Sequence, residues 1–152
     1  MWTDFYYHRI AVDIMNSLDM LYIFSSPNPM KDNIAFKNVF QKLKAVKNAV
    51  IVGSIDQNGK TDHTIGLDCD ILAPGYQQST YIDNGYTYFE GTSAAAPVIS
   101  AIAALMLSCD PLLSPLEIKR ALIEAAGENQ FMQGLVNAGA SLKKITEAEG
   151  NP

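Results

Sequence analysis

The stretch that decides the fold is Gly91-Thr92-Ser93-Ala94-Ala95-Ala96-Pro97, which opens an uncharged run lasting to Cys109. This run predicts a helix from about Ser93 to Ser108. Because the helix is apolar on nearly every face, we expect it to pass through the centre of a core. Ser93 falls in its first turn, where unpaired N–H groups and the helix dipole stabilise a developing oxyanion. A simple helix cap, with Thr92 or Ser93 satisfying backbone donors, is the alternative interpretation.

Working outward from this run, short apolar segments predict buried strands and helically spaced residues predict amphipathic helices. A capping box with proline at the first helical position predicts one further helix, which ends near Gly127. The predicted strands are Leu21–Phe24, Ala49–Ile55 and Ile71–Ala73, and the other predicted helices are Ile10–Leu18, Phe36–Leu43, Ser114–Gly127 and Asn137–Glu147. Strands that alternate with helices favour the α/β class with a parallel sheet.

The composition limits the classes of partner. The chain has 152 residues, enough for one domain, and 48% of them are apolar. A net charge of -5 argues against a nucleic-acid surface, which needs a basic stripe. The lysines gathered in Lys31–Lys47 are interleaved with apolar residues, so we interpret them as a solvated face.

Two further features bear on compartment. Cys69 and Cys109 have no zinc-motif spacing and form no disulfide framework, although they could pair with each other. The N-terminus lacks the apolar run that is typical of a secretory signal. The run Gly91–Cys109 approaches membrane-spanning length, but its serines and Pro97 favour burial in a core, and we predict no membrane span.

The segment around Ser93 resembles the nucleophile motif of the subtilisin-like serine proteases, Gly-Thr-Ser-x-Ala-x-Pro followed by an apolar helix. Other segments resemble motifs of the same family, in the same order and at similar spacing. They are Leu21–Asn28, Ala49–Asp56, Asp70–Gly75 and Gly134–Ala138. The resemblance implies that residues 1–152 form a single partial subtilase catalytic domain, the C-terminal part of a parallel sheet with helices on both faces.

The resemblance also implies roles for individual residues. Ser93 would be the nucleophile, and the Asn28 side-chain amide and the Ser93 N–H would be the two oxyanion donors. The residues assigned to substrate binding are Ser25, Ser26, Pro27 and Thr92. A polypeptide substrate and no cofactor are implied. Family analogy adds calcium, although no carboxylate can be assigned to it and no metal ligand is predicted, and it favours a secreted or extracytoplasmic location.

The chain departs from the family pattern in its acid–base residues. In this family the aspartate and histidine of the triad precede the serine, whereas here only His8 and His63 exist and neither has the expected context. Without a base, a serine hydroxyl is a weak nucleophile. We therefore expect the chain to be inactive alone and to need a missing N-terminal half, or a second copy, which also covers apolar surface.

Two functional hypotheses follow. The first is the nucleophile-bearing half of a serine endopeptidase. The second is a degenerate, non-catalytic binding or structural module, which is favoured by Pro27 and Pro29 on either side of Asn28, because prolines fix the backbone and remove donors. An unrelated α/β hydrolase is disfavoured because the chain has no Gly-x-Ser-x-Gly elbow.

Overall fold

A three-stranded parallel sheet organises the fold. The computed structural model describes residues 2–26, 42–61, 69–127 and 134–149, apart from the side chains of residues 2–8 and 148–149. The elements are α1 (Trp2–Ser17), β1 (Tyr22–Ser25), β2 (Ala49–Ile55), β3 (Ile71–Pro74), β4 (Tyr76–Thr80), β5 (Tyr86–Glu90), α2 (Thr92–Cys109), α3 (Pro115–Gly127) and α4 (Ala138–Glu149).

The strands of the sheet lie in the order β1-β2-β3, and both pairings are parallel. All seven residues of β2 are buried, as expected of a central strand that is covered on both faces. The α/β class is therefore confirmed. All three predicted strands are present, and β2 has the predicted bounds.

The core lies between the sheet and three helices. Val50 and Val52 of β2 pack with Ile71 and Ala73 of β3 in a single cluster. The cluster also contains buried residues of α2, α3 and α4, namely Ala95, Ile99, Ile102, Ala103, Met106, Ile118, Ala121, Leu122, Ala126 and Ile145. Interiors are close-packed, so this contact fixes the position of α2 on the sheet.

Helix α2 has the predicted bounds to within a residue at each end, but not the predicted surroundings. The prediction that it would be surrounded by core is wrong for this structure, because the sheet and α3–α4 cover only one stripe of it. On the other side, Leu105 is 52% exposed and Leu107 is 39% exposed. Within the described residues α2 alone is long and apolar enough to cross a membrane, and 39% of it is buried.

The segment that precedes α4 extends the sheet. Gly134 accepts a hydrogen bond at its carbonyl from the Leu72 N–H at 2.7 Å, and the Val136 N–H donates to the Leu72 carbonyl at 2.8 Å. Asn137 then caps α4, since its side-chain oxygen accepts from the Ala140 N–H at 3.0 Å. The segment that resembles a family motif at Gly134–Ala138 therefore joins β3 to the last helix.

The antiparallel hairpin of β4 and β5 was not predicted from the sequence. Its turn places Asp83 and Asn84 at φ 55° and 57°, and the Gly85 N–H donates to the Ile82 carbonyl at 3.1 Å. Two successive residues with positive φ are typical of a type I′ turn, which Asp, Asn and Gly favour. The signal was therefore present in Asp83-Asn84-Gly85. Most of the helix predicted at Phe36–Leu43 lies outside the described residues.

The predicted capping box at the start of α3 is confirmed. The Ser114 hydroxyl and N–H donate to the Glu117 carboxylate at 2.6 and 2.8 Å, and the Glu117 N–H donates back to the Ser114 hydroxyl at 3.4 Å. These hydrogen bonds lower the pKa of Glu117, because they favour its charged form. The carboxylate therefore contributes stability above its unfolded pKa, and this contribution is lost as the pH falls through the folded pKa.

We predict that Ser114→Ala lowers the free energy of unfolding by about 1 kcal/mol at neutral pH, because it removes the cap. The difference in the free energy of unfolding between the variant and the unsubstituted chain should shrink in acid, as Glu117 becomes protonated. Urea unfolding at neutral and acidic pH measures both effects. Ser108→Ala is the matched control, since that hydroxyl only bonds back to Leu105 within α2. An equal loss in both variants would contradict the prediction.

Candidate active site

The candidate site lies where the carboxyl ends of the three parallel strands meet the beginning of α2. Open α/β sheets bind ligands at this edge. Strands β1, β2 and β3 end at Ser25, Ile55 and Pro74. Helix α2 begins at Thr92, so Ser93 lies in its first turn, as predicted.

Two glycines attach the beginning of α2 to the sheet. Gly91 has φ 90° and ψ -167°, a conformation that is essentially restricted to glycine. Its N–H donates to the Gly75 carbonyl at 2.8 Å, and the Gly75 N–H donates to the Ile55 carbonyl at 2.8 Å. A Cβ atom on Gly75 would lie 2.5 Å from the Ser54 Cβ and 3.0 Å from the Gly91 oxygen. The close approach of these backbones therefore requires glycine at position 75.

Thr92 attaches the same helix to β1. Its hydroxyl donates to the Ser26 carbonyl at 2.7 Å, and both residues are buried. The Ser26 N–H donates in turn to the Val52 carbonyl at 2.8 Å. This chain of bonds holds the end of β1 beside the first turn of α2. The sequence contained no signal for it, because the partners are 66 residues apart.

Ser93 itself is exposed. Among the residues that the structure describes, neither its hydroxyl nor its backbone N–H has a hydrogen-bond partner. The N-cap of α2 is Gly91, and no side chain caps the helix. The interpretation of Thr92 and Ser93 as a simple helix cap is therefore wrong. Within the described residues, the hydroxyl and the N–H of Ser93 therefore remain available for a hydrogen bond.

The other predicted site residues are only partly described. Ser25 is exposed and Ser26 is 3% exposed, both next to the first turn of α2. Pro27, Asn28 and Pro29 lie outside the described residues, and so does His63. His8 lies within α1, although its side chain is not described. The roles predicted for Asn28 in the oxyanion site, and for Ser25, Ser26, Pro27 and Thr92 in substrate binding, stay predictions.

The two cysteines differ in exposure, since Cys69 is half-buried and Cys109 is exposed. Both are free thiols, so they do not pair with each other. Burial raises the pKa of the half-buried Cys69, which keeps it protonated at neutral pH. The described part of the chain holds no cluster of three or more His, Cys, Asp or Glu side chains that could bind a metal.

Known proteins resemble this chain in sequence. The Subtilase family model matches residues 3–143. The chain belongs to the subtilase family. It is 35% identical over 140 residues to the alkaline elastase YaB of Bacillus sp. (strain YaB). The aligned region covers 88% of this chain and 35% of that protein. It is 32% identical over 140 residues to subtilisin BL of Lederbergia lenta, covering 88% of this chain and 50% of the relative.

Solved structures agree on the fold of this subtilase chain. The A-subunit of the AB5 toxin from E. coli has a TM-score of 0.69 at 20% identity, with 91% of this chain and 55% of that chain covered. The self-cleaved protease domain of PatA has a TM-score of 0.65 at 21% identity, with 90% and 54% covered. The chain thus spans about a third to a half of the length of the curated relatives that it matches.

We predict that Gly91→Ala lowers the free energy of unfolding by about 1–3 kcal/mol, because a Cβ atom is strained at that backbone conformation. Gly127→Ala is the matched control: Gly127 is exposed at the end of α3, and a Cβ atom there would meet nothing within 4 Å. The control should be neutral or slightly stabilising. Urea unfolding of both variants measures the difference. Equal stabilities would show that the start of α2 is not strained.

Proposed function

We propose that this chain carries the nucleophile of a serine endopeptidase. The observation that supports the proposal best is the exposed Ser93 in the first turn of a helix capped only by glycine, where its hydroxyl and N–H have no partner among the described residues. In this proposal the Ser93 oxygen attacks a peptide carbonyl. The Ser93 N–H and the Asn28 amide then donate to the oxyanion. Removing one such donor typically costs about a hundred- to a thousandfold in rate.

We further propose that the general base comes from another polypeptide segment, either the N-terminal half of a complete protease domain or a second copy. A serine hydroxyl needs a base to give up its proton at neutral pH. The candidates in this chain, His8 and His63, lack the family's context. Relatives such as subtilisin BL are about twice as long as the matched region.

Exposed apolar surface supports the proposal of a partner segment. A groove of about 520 Å³ lies between the beginning of β1 and helix α2. Its lining includes Met20, Leu21, Ile23, Ala103, Ala104, Leu107, Leu113 and Ile118. Nearby, Ile14 and Leu18 are 53% and 44% exposed, which is unusual for large apolar side chains on one face. A covering segment would remove this surface from water and would place its own residues beside β1.

The alternative proposal, a non-catalytic module, rests on Pro27 and Pro29, which restrict the backbone on both sides of Asn28. An oxyanion loop of another shape would leave Ser93 with one donor. The two proposals differ in one measurable property, the reactivity of Ser93.

By family analogy alone, we also propose that the protein works outside the cytoplasm. Its recovery from the medium rather than from cells of its source would test this proposal.

A fluorophosphonate probe tests the catalytic proposal. We expect weak labelling of the isolated chain and strong labelling of the native material that contains the base, in both cases lost in Ser93→Ala. Ser100→Ala is the matched control, because Ser100 is exposed on the same helix with its hydroxyl bonded to the Ala96 carbonyl. No labelling of verified native protein would sink the catalytic proposal and favour the binding module.

The partner proposal has its own test. The isolated chain should bind a dye that reports apolar surface, or should self-associate, because the groove and the α1 surface are open. Leu107→Asp, at the wall of the groove, should reduce dye binding, whereas Leu112→Asp, which lies outside it, should have less effect. Dye fluorescence and sedimentation measure these outcomes. A monomer that unfolds cooperatively and binds no dye would contradict the proposal.

A further inference from the structure

The hairpin of β4 and β5 presents an aromatic face that the proposed reaction does not use. Its register pairs Tyr76 with Glu90, Gln78 with Tyr88 and Thr80 with Tyr86. Directly opposed residues share a face, and alternate residues along a strand do so too. These six side chains therefore lie on one face. Tyr86 and Tyr88 on that face are 71% and 56% exposed.

Two tyrosines and a carboxylate meet at the base of this hairpin. The rings of Tyr76 and Tyr88 are stacked, with centroids 4.9 Å apart and an angle of 13° between their planes. Glu90 lies directly opposite Tyr76 and two residues from Tyr88, so its Cβ lies about 5 Å from that of Tyr76. We give the name hairpin pocket to this cluster of three surface residues, Tyr76, Tyr88 and Glu90.

The hairpin pocket carries one negative charge, on Glu90. Residues 76–90 contain no lysine or arginine. Within the described residues, the Glu90 carboxylate is exposed and has no ion-pair partner. Tyrosine faces attract cations, and a carboxylate beside them adds an opposite charge. The group that complements both is a planar cation, which can stack on a ring while it donates to the carboxylate. Among side chains this is the arginine guanidinium.

The hairpin pocket adjoins the nucleophile. Glu90 precedes Gly91 and Tyr76 follows Gly75, and the Gly91 N–H donates to the Gly75 carbonyl at 2.8 Å. Glu90 is three residues before Ser93, which limits the distance between their Cα atoms to about 11 Å. An extended peptide covers that distance in about three residues. A polypeptide with its carbonyl group at Ser93 therefore reaches the pocket with a nearby side chain.

We propose that the hairpin pocket binds an arginine side chain of the polypeptide substrate, within about three residues of the bond that is cleaved. This inference rests on the proposed function, because it assigns a specificity to the same site. The arginine side chain stacks on the exposed ring of Tyr88, and its guanidinium donates to the Glu90 carboxylate. The pocket thus makes arginine near the cleaved bond a preferred feature of the substrate.

Binding to the full chain carrying Ser93→Ala tests this inference without any cleavage. The probes are peptides of about eight residues with arginine at one central position, or with citrulline, which has the same shape and no charge. We expect the arginine peptides to bind about fivefold more tightly, the effect of one exposed cation–π contact with one ion pair. NMR shifts of the tyrosine rings report the affinity and the place of binding.

Two pairs of variants locate the effect. Glu90→Gln should abolish the preference for arginine over citrulline, whereas Asp83→Asn, which removes the same charge at the far end of the hairpin, should keep it. Tyr88→Leu should reduce the preference, whereas Tyr81→Leu should leave it unchanged. Backbone NMR spectra show whether each variant keeps the fold.

Several outcomes would overturn the inference. The first is equal affinity for both peptides, and the second is no detectable binding of either. The third is an equal loss of the preference for arginine in Glu90→Gln and Asp83→Asn, which would indicate general attraction by negative charge. A failure here differs from a failure of the proposed function. Fluorophosphonate labelling reports the reactivity of Ser93, whereas peptide affinity is measured in a chain without Ser93.

Discussion

The buried hydrogen bond from the Thr92 hydroxyl to the Ser26 carbonyl is the contact on which the site depends. It joins the first residue of α2 to the residue that follows β1, at 2.7 Å and out of contact with water. Both polar groups would be costly to bury without each other. Together with the hydrogen bond from the Gly91 N–H to the Gly75 carbonyl, it fixes where α2 begins relative to the sheet. The position of the serine is therefore a property of the whole sheet edge.

Under the proposed function, this constraint accounts for one half of the chemistry. The geometry that positions a nucleophile and an N–H donor lies within the described chain, because it arises from strand ends and one helix terminus. The acid–base half needs a histidine held against Ser93. Under the proposed function another segment supplies it, and the open groove between the beginning of β1 and α2 offers that segment an apolar surface. A segment that supplies a base and covers the apolar surface would thus serve both needs under the proposed function.

Much of the fold was predictable because its signals are local. The continuous apolar run of β2 and the capping box of α3 each specify their element within a few neighbouring residues, and both predictions are confirmed. The hairpin was not predicted because its two strands are short and largely exposed, whereas its signal was the turn at Asp83-Asn84-Gly85. The sequence indicated that apolar surface would stay uncovered in this chain, but not which side of α2 would be exposed, since apolar residues specify that a helix should be covered but not what covers it.

The sequence by itself determined the family, the α/β class and the position of Ser93 in a helix start, because motif spacing and helix chemistry are written in consecutive residues. Only the tertiary structure decided that Thr92 bonds to Ser26, that Gly75 must lack a side chain, and that Tyr76, Tyr88 and Glu90 lie together. These contacts join residues that are distant in the chain or in separate strands. Their distances depend on strand register and on the docking of α2, which no local segment specifies.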